Sequence, residues 1–235
     1  LRPPILRKAS VMIRITALKW VPSFAAGQVR DHRLRWVLRE VGWPYEVRLL
    51  DAPTLKSPDY RHEQPFGQVP VLEEDGRPTL FESGAVVLDV AMRAGRLLPG
   101  DPGQRSLAIC WLVAALNSIE PALMNFAEVA YFTRDEAQRV ARRPVVDAFA
   151  RQRLDALQGA LGDRTWMVGD DFSVADLMLS SVLKIADRLN LLEDFDALQR
   201  YAQRCWDRPA HREAIAEQCA TIEGHVQADM RYDAL

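Results

Sequence analysis

Prolines and glycines divide this chain into two halves that obey different rules. Of its 14 prolines, 11 lie at or before Pro102, and 8 of its 12 glycines lie at or before Gly103. Proline fixes φ and removes a backbone donor, and glycine loosens the chain, so a stretch rich in both builds short elements joined by turns. The later half holds only Pro121, Pro144 and Pro209 and is free to form long helices. The boundary falls in the segment from Arg96 to Gly103, which has two prolines. The expected division is a first domain over 12–98, a linker over 99–103, a helical domain over 104–220 and a tail over 221–235. Residues 1–11 carry Arg2, Arg7 and Lys8 but no apolar core of the about 7 residues that a signal peptide needs. They read as an upstream extension or an expression remnant ahead of Met12.

Periodicity fills in the elements. Met12 to Leu18 alternates with period two and predicts a strand. A loop over Lys19 to Gly27 follows. Leu34, Val37, Leu38 and Val41 then make one apolar helical face, ended by Gly42. Tyr45 to Leu50 reads as a second strand. Val69 to Leu72 and Thr79 to Phe81 bracket a turn at Glu74-Asp75-Gly76-Arg77, an antiparallel hairpin. A helix from Ser83 to Ala94 stops at Gly95. The order βαβ, connection, ββα predicts a mixed four-stranded sheet, because a strand-helix-strand unit is normally a right-handed parallel crossover. The second half carries four or five amphipathic helices, marked by Leu107 to Phe126, Val146 to Leu161, Val174 to Leu189 and Phe195 to Cys205. The third is apolar nearly all round and belongs at the centre.

Composition excludes several classes. A net charge of -2 offers no basic field for a nucleic-acid backbone. No uninterrupted apolar run approaches the about 20 residues of a membrane span. The three cysteines, Cys110, Cys205 and Cys219, form no CxxC pair, so a reducing, cytoplasmic setting is expected. His32, His62, His211 and His225 have no metal-ligand spacing, and no metal is expected. GxGxxG, GKS/GKT, HExxH and GxSxG signatures are absent.

Two stretches carry candidate chemistry. In Gln68-Val69-Pro70-Val71-Leu72, a proline enters a strand from a loop. It reads either as a trans edge-strand proline or as a cis proline that turns the Val69 backbone towards an extended ligand. Phe81-Glu82-Ser83-Gly84 passes from strand to helix. Ser83 is an expected N-cap, and the helix N-terminus attracts a carboxylate while Glu82 holds an ammonium. A plain cap beside a solvated glutamate is the alternative.

The motif Phe66-Gly67-Gln68-Val69-Pro70-Val71-Leu72 with Leu80-Phe81-Glu82-Ser83, followed by a helical half containing Phe172-Ser173-Val174-Ala175-Asp176 and Leu198-Gln199-Arg200-Tyr201, resembles the cytosolic glutathione transferase superfamily, bacterial type. The resemblance covers about Met12 to Cys219. It implies a thioredoxin-like first domain and an all-helical second domain. It also implies a cis Pro70, pairing of Val69 with the cysteinyl unit of glutathione, and capture of the γ-glutamyl end by Glu82 and Ser83. Ser173 and Asp176 look like the family's structural capping box. Glutathione as co-substrate, a small apolar electrophile, a homodimer and a role in detoxification are implied as well.

The family places a Tyr, Ser or Cys after the first strand to manage the sulfur. Here the loop from Lys19 to Arg30 has neither Tyr nor Cys, and Ser23 is its only hydroxyl. Counting back from Pro44, the family position falls near Gln28 to Arg30. Lowering a thiol pKa of about 8.5 by about two units takes about 2.7 kcal/mol. One hydrogen bond to a charged group contributes about 1.5–3 kcal/mol and a helix N-terminus about 0.3–1 kcal/mol, so one aimed donor suffices. Ser23, Arg30 and Gln28 are the candidates, along with a backbone N–H near Ala25 to Gly27. Trp20, Phe24, Trp111, Ala115, Phe126 and Tyr131 are candidates for an apolar pocket, with core packing as the competing role for Trp111 and Phe126. A conjugating transferase is the leading function. A glutathione-dependent isomerase, dehalogenase or peroxidase and a non-catalytic binding module are the alternatives.

Overall fold

The structure is a computed structural model that describes residues 12–225. The expected extension over 1–11 and the end of the expected tail lie outside the described residues.

The first half forms one mixed sheet. β1 (Ile13–Leu18) pairs in parallel with β2 (Glu46–Leu50), reached through α1 (Asp31–Val41). β3 (Val71–Glu74) runs antiparallel to β1, and β4 (Leu80–Phe81) antiparallel to β3, giving the spatial order β2-β1-β3-β4. Between β2 and β3 lie two short helices, α2 (Ala52–Lys56) and α3 (Pro58–Glu63). Each starts on a proline in its first turn behind a capping side chain, Asp51 and Ser57. α4 (Ser83–Ala94) ends on Gly95, whose positive φ supplies the left-handed cap. This is the thioredoxin-like arrangement.

The second half is helical. α5 (Pro102–Ala114), a π turn over 115–119, α6 (Glu120–Ala127) and a second π turn over 128–132 form one continuous run. α7 (Glu136–Leu161), α8 (Val174–Arg188), α9 (Asp196–Trp206) and α10 (Pro209–Glu223) follow. As predicted from its apolar circumference, α8 is central, with every residue from Val174 to Leu183 buried. The run from Pro102 to Phe132 is 31 residues long and apolar enough, by length and hydropathy, to cross a membrane. That differs from the expectation, which considered only uninterrupted apolar stretches. Here Ala108, Leu112, Ala115, Ile119, Leu123 and Phe126 are buried in the helical core, as in the core helix of a folded domain.

One local feature differs from the sequence reading. β3 begins at Val71 rather than Val69, because Pro70 brings no N–H to the ladder and the Val71 N–H is taken by the Thr16 hydroxyl at 2.8 Å. Pro209 opens α10, the usual place for proline at the start of a helix.

Candidate active site

The loop before β3 is shaped by a chain of hydrogen bonds. The Val71 N–H donates to Thr16 Oγ1 at 2.8 Å, Thr16 meets Tyr60 Oη at 3.2 Å, and the Tyr60 hydroxyl donates to the Gln68 carbonyl at 2.7 Å. With the tyrosine proton spent on Gln68, Thr16 is the donor to Tyr60. Gln64 Oε1 accepts from the Phe66 N–H at 2.6 Å and the Gln68 N–H at 3.3 Å. These bonds hold Gln68 and Val69 at the cleft, where the Val69–Pro70 peptide is cis.

The turn into α4 forms the adjoining wall. Glu82, not Ser83, is the N-cap residue, with φ of 68°. A non-glycine residue in that region is strained, and such strain persists where the surroundings over-determine it. Ser83 is instead the first helical residue, and its hydroxyl accepts from Arg33 Nη1 at 3.1 Å. A Cβ added at Gly84 would lie 2.4 Å from Leu116 Cδ1, so the start of α4 packs closely on the long helix and a side chain there would have to displace the Leu116 tip.

That approach brings in a carboxylate from the other half. Glu120 follows the first π turn and precedes Pro121. Proline cannot accept the regular helical register, and the widened turn accommodates it. Glu120 Oε1 accepts from Arg33 Nη2 at 3.1 Å and Arg30 Nε at 3.0 Å. Arg33 is 1% exposed and Glu120 5%. Burial pushes the Glu120 carboxyl up, but the Arg33 and Arg30 guanidiniums outweigh it and hold the group below its ordinary value.

Two cavities open on this network. A polar one of about 530 Å³ is lined by Gln68, Val69, Pro70, Glu82 and Ser83, with Arg30, Arg33 and Glu120 opposite. A second, mostly apolar, of about 390 Å³ shares Arg30, Arg33, Gln68, Val69, Glu120 and Met124 with it. The second adds Gln28, Phe24, Tyr131, Phe132, Ile185 and Arg188. The two are therefore one cleft with a polar arm and an apolar arm.

The predicted residues divide as follows. Gln68, Val69, Pro70, Glu82 and Ser83 line the polar arm together. Arg30 lines both arms, and Gln28 the apolar one. Ser23 opens a short 3-10 turn, is exposed and lines neither; its carbonyl accepts from Arg188 Nη2 at 3.3 Å. Phe24 and Tyr131 line the apolar arm, with ring centroids 6.0 Å apart. Trp20 lines neither arm, Trp111 packs against the core, and Ala115 and Phe126 are buried within it. The reason is helical phase. The stripe facing the cleft is Leu116, Glu120, Met124, Ala127 and Tyr131, spaced by three or four, while Ala115 and Phe126 lie on the stripe facing α8. Sequence reasoning missed Arg33 and Glu120. Their signal is an arginine on a helix otherwise committed to burial and a glutamate at the proline that disturbs the long helix. Among the described residues no group of three or more His, Cys, Asp or Glu could hold a metal ion.

The chain is similar to known proteins over most of its length. Residues 24–88 match the family described as glutathione S-transferase, N-terminal domain, and residues 120–209 its C-terminal domain. The glutathione S-transferase GST-4.5 of Xanthomonas campestris pv. campestris is 33% identical over 181 residues, 72% of this chain and 84% of that protein. A maleylacetoacetate isomerase of Pseudomonas aeruginosa is 29% identical over 195 residues, 78% of this chain and 90% of its own length. Among solved structures, a glutathione transferase from Burkholderia graminis, crystallised with two glutathione molecules per subunit, superposes with a TM-score of 0.75 at 25% identity, covering 87% of each chain.

Proposed function

The chain belongs to the glutathione S-transferase family, and from that premise we propose that it is a glutathione transferase joining the glutathione sulfur to an apolar electrophile. The observation that carries this reading is the meeting of a polar and an apolar arm at one pair of guanidiniums. Glutathione lies in the polar arm. Its cysteinyl backbone pairs with Val69, and its γ-glutamyl end is taken by Glu82 and Ser83. The sulfur then falls where the arms join, beside Arg30.

Arg30 is the favoured stabiliser of the thiolate. Glu120 neutralises only one of the two positive charges it bonds, so the junction keeps an excess for an anionic sulfur. Gln28 is the second candidate. Ser23 falls behind both, because its side chain lines neither arm. The larger thiolate fraction and the fixed proximity of the two substrates supply the acceleration. The likeness to the Pseudomonas aeruginosa isomerase supports a second reading, in which the sulfur adds to a conjugated bond, the adduct rotates and the sulfur leaves again. We assign glutathione binding to residues 12–98 and the second substrate mainly to the helical residues 104–220. The family resemblance supports a homodimer.

Titration calorimetry with glutathione tests the reading. Binding at or below millimolar concentration is expected, and the double substitution Glu82→Ala, Ser83→Ala should weaken it by about 100-fold or more, the worth of two charged hydrogen bonds. A wild-type protein that binds no glutathione at millimolar concentration removes the transferase reading.

A further inference from the structure

The apolar arm is not electrically neutral. Three guanidiniums, Arg30, Arg33 and Arg188, line it against one carboxylate, Glu120. The first two are held by that carboxylate at the junction. Arg188 stands apart, in the last turn of α8. Among the described residues no carboxylate lies within ion-pair distance of it. Its position is fixed from two sides. Arg188 Nη2 donates to the Ser23 carbonyl at 3.3 Å, and its own carbonyl accepts from the Tyr131 hydroxyl at 3.2 Å. A guanidinium has five N–H donors, so most of its donating capacity remains beyond the Ser23 bond.

Beside Arg188 lies an aromatic wall. Phe24 stacks on Tyr131 with an interplanar angle of 23°, and Phe132 meets both edge-on at 6.0 and 6.4 Å. Ile185, Leu189 and Met124 complete an open apolar cleft. A cleft with a flat aromatic side, a cation apart from the junction and, on the glutathione reading, a thiolate beside Arg30 selects a particular shape of molecule.

We propose that the electrophile is an aromatic or conjugated carboxylate, its ring or double bond against Phe24 and Tyr131, its carboxylate on Arg188 and its reacting carbon at the Arg30 junction. This rests on the glutathione reading above and narrows it to a substrate class. Arg188 is then a specificity-determining residue. In the displacement version, the glutathione sulfur forms a bond to the ring carbon and chloride leaves with the electron pair of the carbon–chlorine bond. The thiol proton has gone to solvent, and nothing is oxidised or reduced.

Paired probes test it: 4-chloro-3-nitrobenzoate and its methyl ester, assayed with glutathione in wild type, Arg188→Gln and Arg188→Lys. The quantity read is the ratio of kcat/KM for the acid to that for the ester, which cancels their difference in intrinsic reactivity between variants. Arg188→Gln should lower that ratio by about tenfold, the worth of one partly desolvated charged hydrogen bond, and Arg188→Lys should restore part of it. An unchanged ratio overturns the proposal. Should neither compound be turned over by wild type while glutathione binds, equilibrium binding of the two probes by tryptophan fluorescence decides. Tighter binding of the acid, lost about tenfold in Arg188→Gln, supports the proposal, and equal binding overturns it. Failure of glutathione itself to bind is read separately by calorimetry and strikes the underlying transferase reading.

Discussion

Two buried carboxylates in the helical half, Asp176 and Glu120, show how the same chemical group comes to serve structure in one place and function in another. Both sit in the first turn of a helix, 0% and 5% exposed. Asp176 is surrounded by neutral donors. It closes a reciprocal capping box with Ser173 and accepts from the Met167 N–H at 2.7 Å and the Tyr201 hydroxyl at 2.8 Å. Burial raises its pKa against the pull of Met167, Tyr201 and Ser173. Glu120 is surrounded by cations and faces an open cleft. Its pKa is lowered. A carboxylate whose partners are neutral and turned inward fastens the fold. One whose cationic partners outnumber it at a cavity leaves charge available to a ligand.

The comparison is broken most easily at Asp176. Asp176→Ala leaves the Met167 N–H, Tyr201 hydroxyl and Ser173 N–H without their acceptor, and should cost about 4 kcal/mol in urea unfolding. Glutathione affinity of the folded fraction should stay near wild type. A loss under about 1 kcal/mol would show that the capping centre does not fasten the fold.

Acid sharpens the contrast, because the two groups titrate with opposite sign. His32 and His211 set a common background. Burial, followed by Arg33 and Lys184, holds His32 well below its ordinary value. Burial, followed by Lys184, holds His211 near pKa 4. A depressed histidine leaves the unfolded chain binding more protons, so stability falls as pH drops from about 6.5 towards 4, by about 3 kcal/mol for His211. Comparing Asp176→Asn and Glu120→Gln with wild type at each pH cancels that background. Glu120, with its lowered pKa, contributes stability above 4.5 that is lost as pH falls through its folded value. Asp176, with its raised pKa, is penalised when ionised, and the penalty is relieved as pH falls towards 3.8. Parallel pH profiles for the two variants would contradict the contrast.

Glu120→Gln gives a smaller change in stability, about 2 kcal/mol, because Arg30 is partly exposed and water screens what the carboxylate no longer neutralises. Its larger signature is functional. Two guanidiniums without their carboxylate should lower the pKa of bound glutathione by about one unit, read from the pH dependence of single-turnover rates. The smallest effect is expected at Ser23→Ala, whose pH–rate profile should match wild type within about 0.3 units of pKa.

Local signals carried much of the fold. Alternation, helical period and the glycine stops located β1, α1, β2 and α4, apolar positions from Val174 onward located α8, and the family resemblance marked its Ser173–Asp176 capping box. The residues of the polar arm stood out as two short stretches, Val69-Pro70 and Glu82-Ser83, which line one cavity, but residue type left their roles open and the N-cap fell on Glu82 rather than Ser83. The apolar arm was not legible. Ala115 and Phe126 are one helical step away from the stripe that faces the cleft, a phase that the π turns and packing against α8 decide. Arg33 and Glu120 are 87 residues apart and read singly as solvated charges. Only the close approach at Gly84 makes them partners. α2 and α3 are too short to show a period, and their caps at Asp51 and Ser57 became informative only once the turns were placed.

The joining of the two arms at Arg30 is tested most directly by the ultraviolet absorbance of bound glutathione thiolate, titrated with pH in wild type and Arg30→Gln. The expected result is a bound thiol pKa well below the free value of about 8.5, rising by at least about one unit in the variant. A bound thiol that ionises like the free one in wild type, or a lowered pKa that Arg30→Gln leaves untouched, would contradict it.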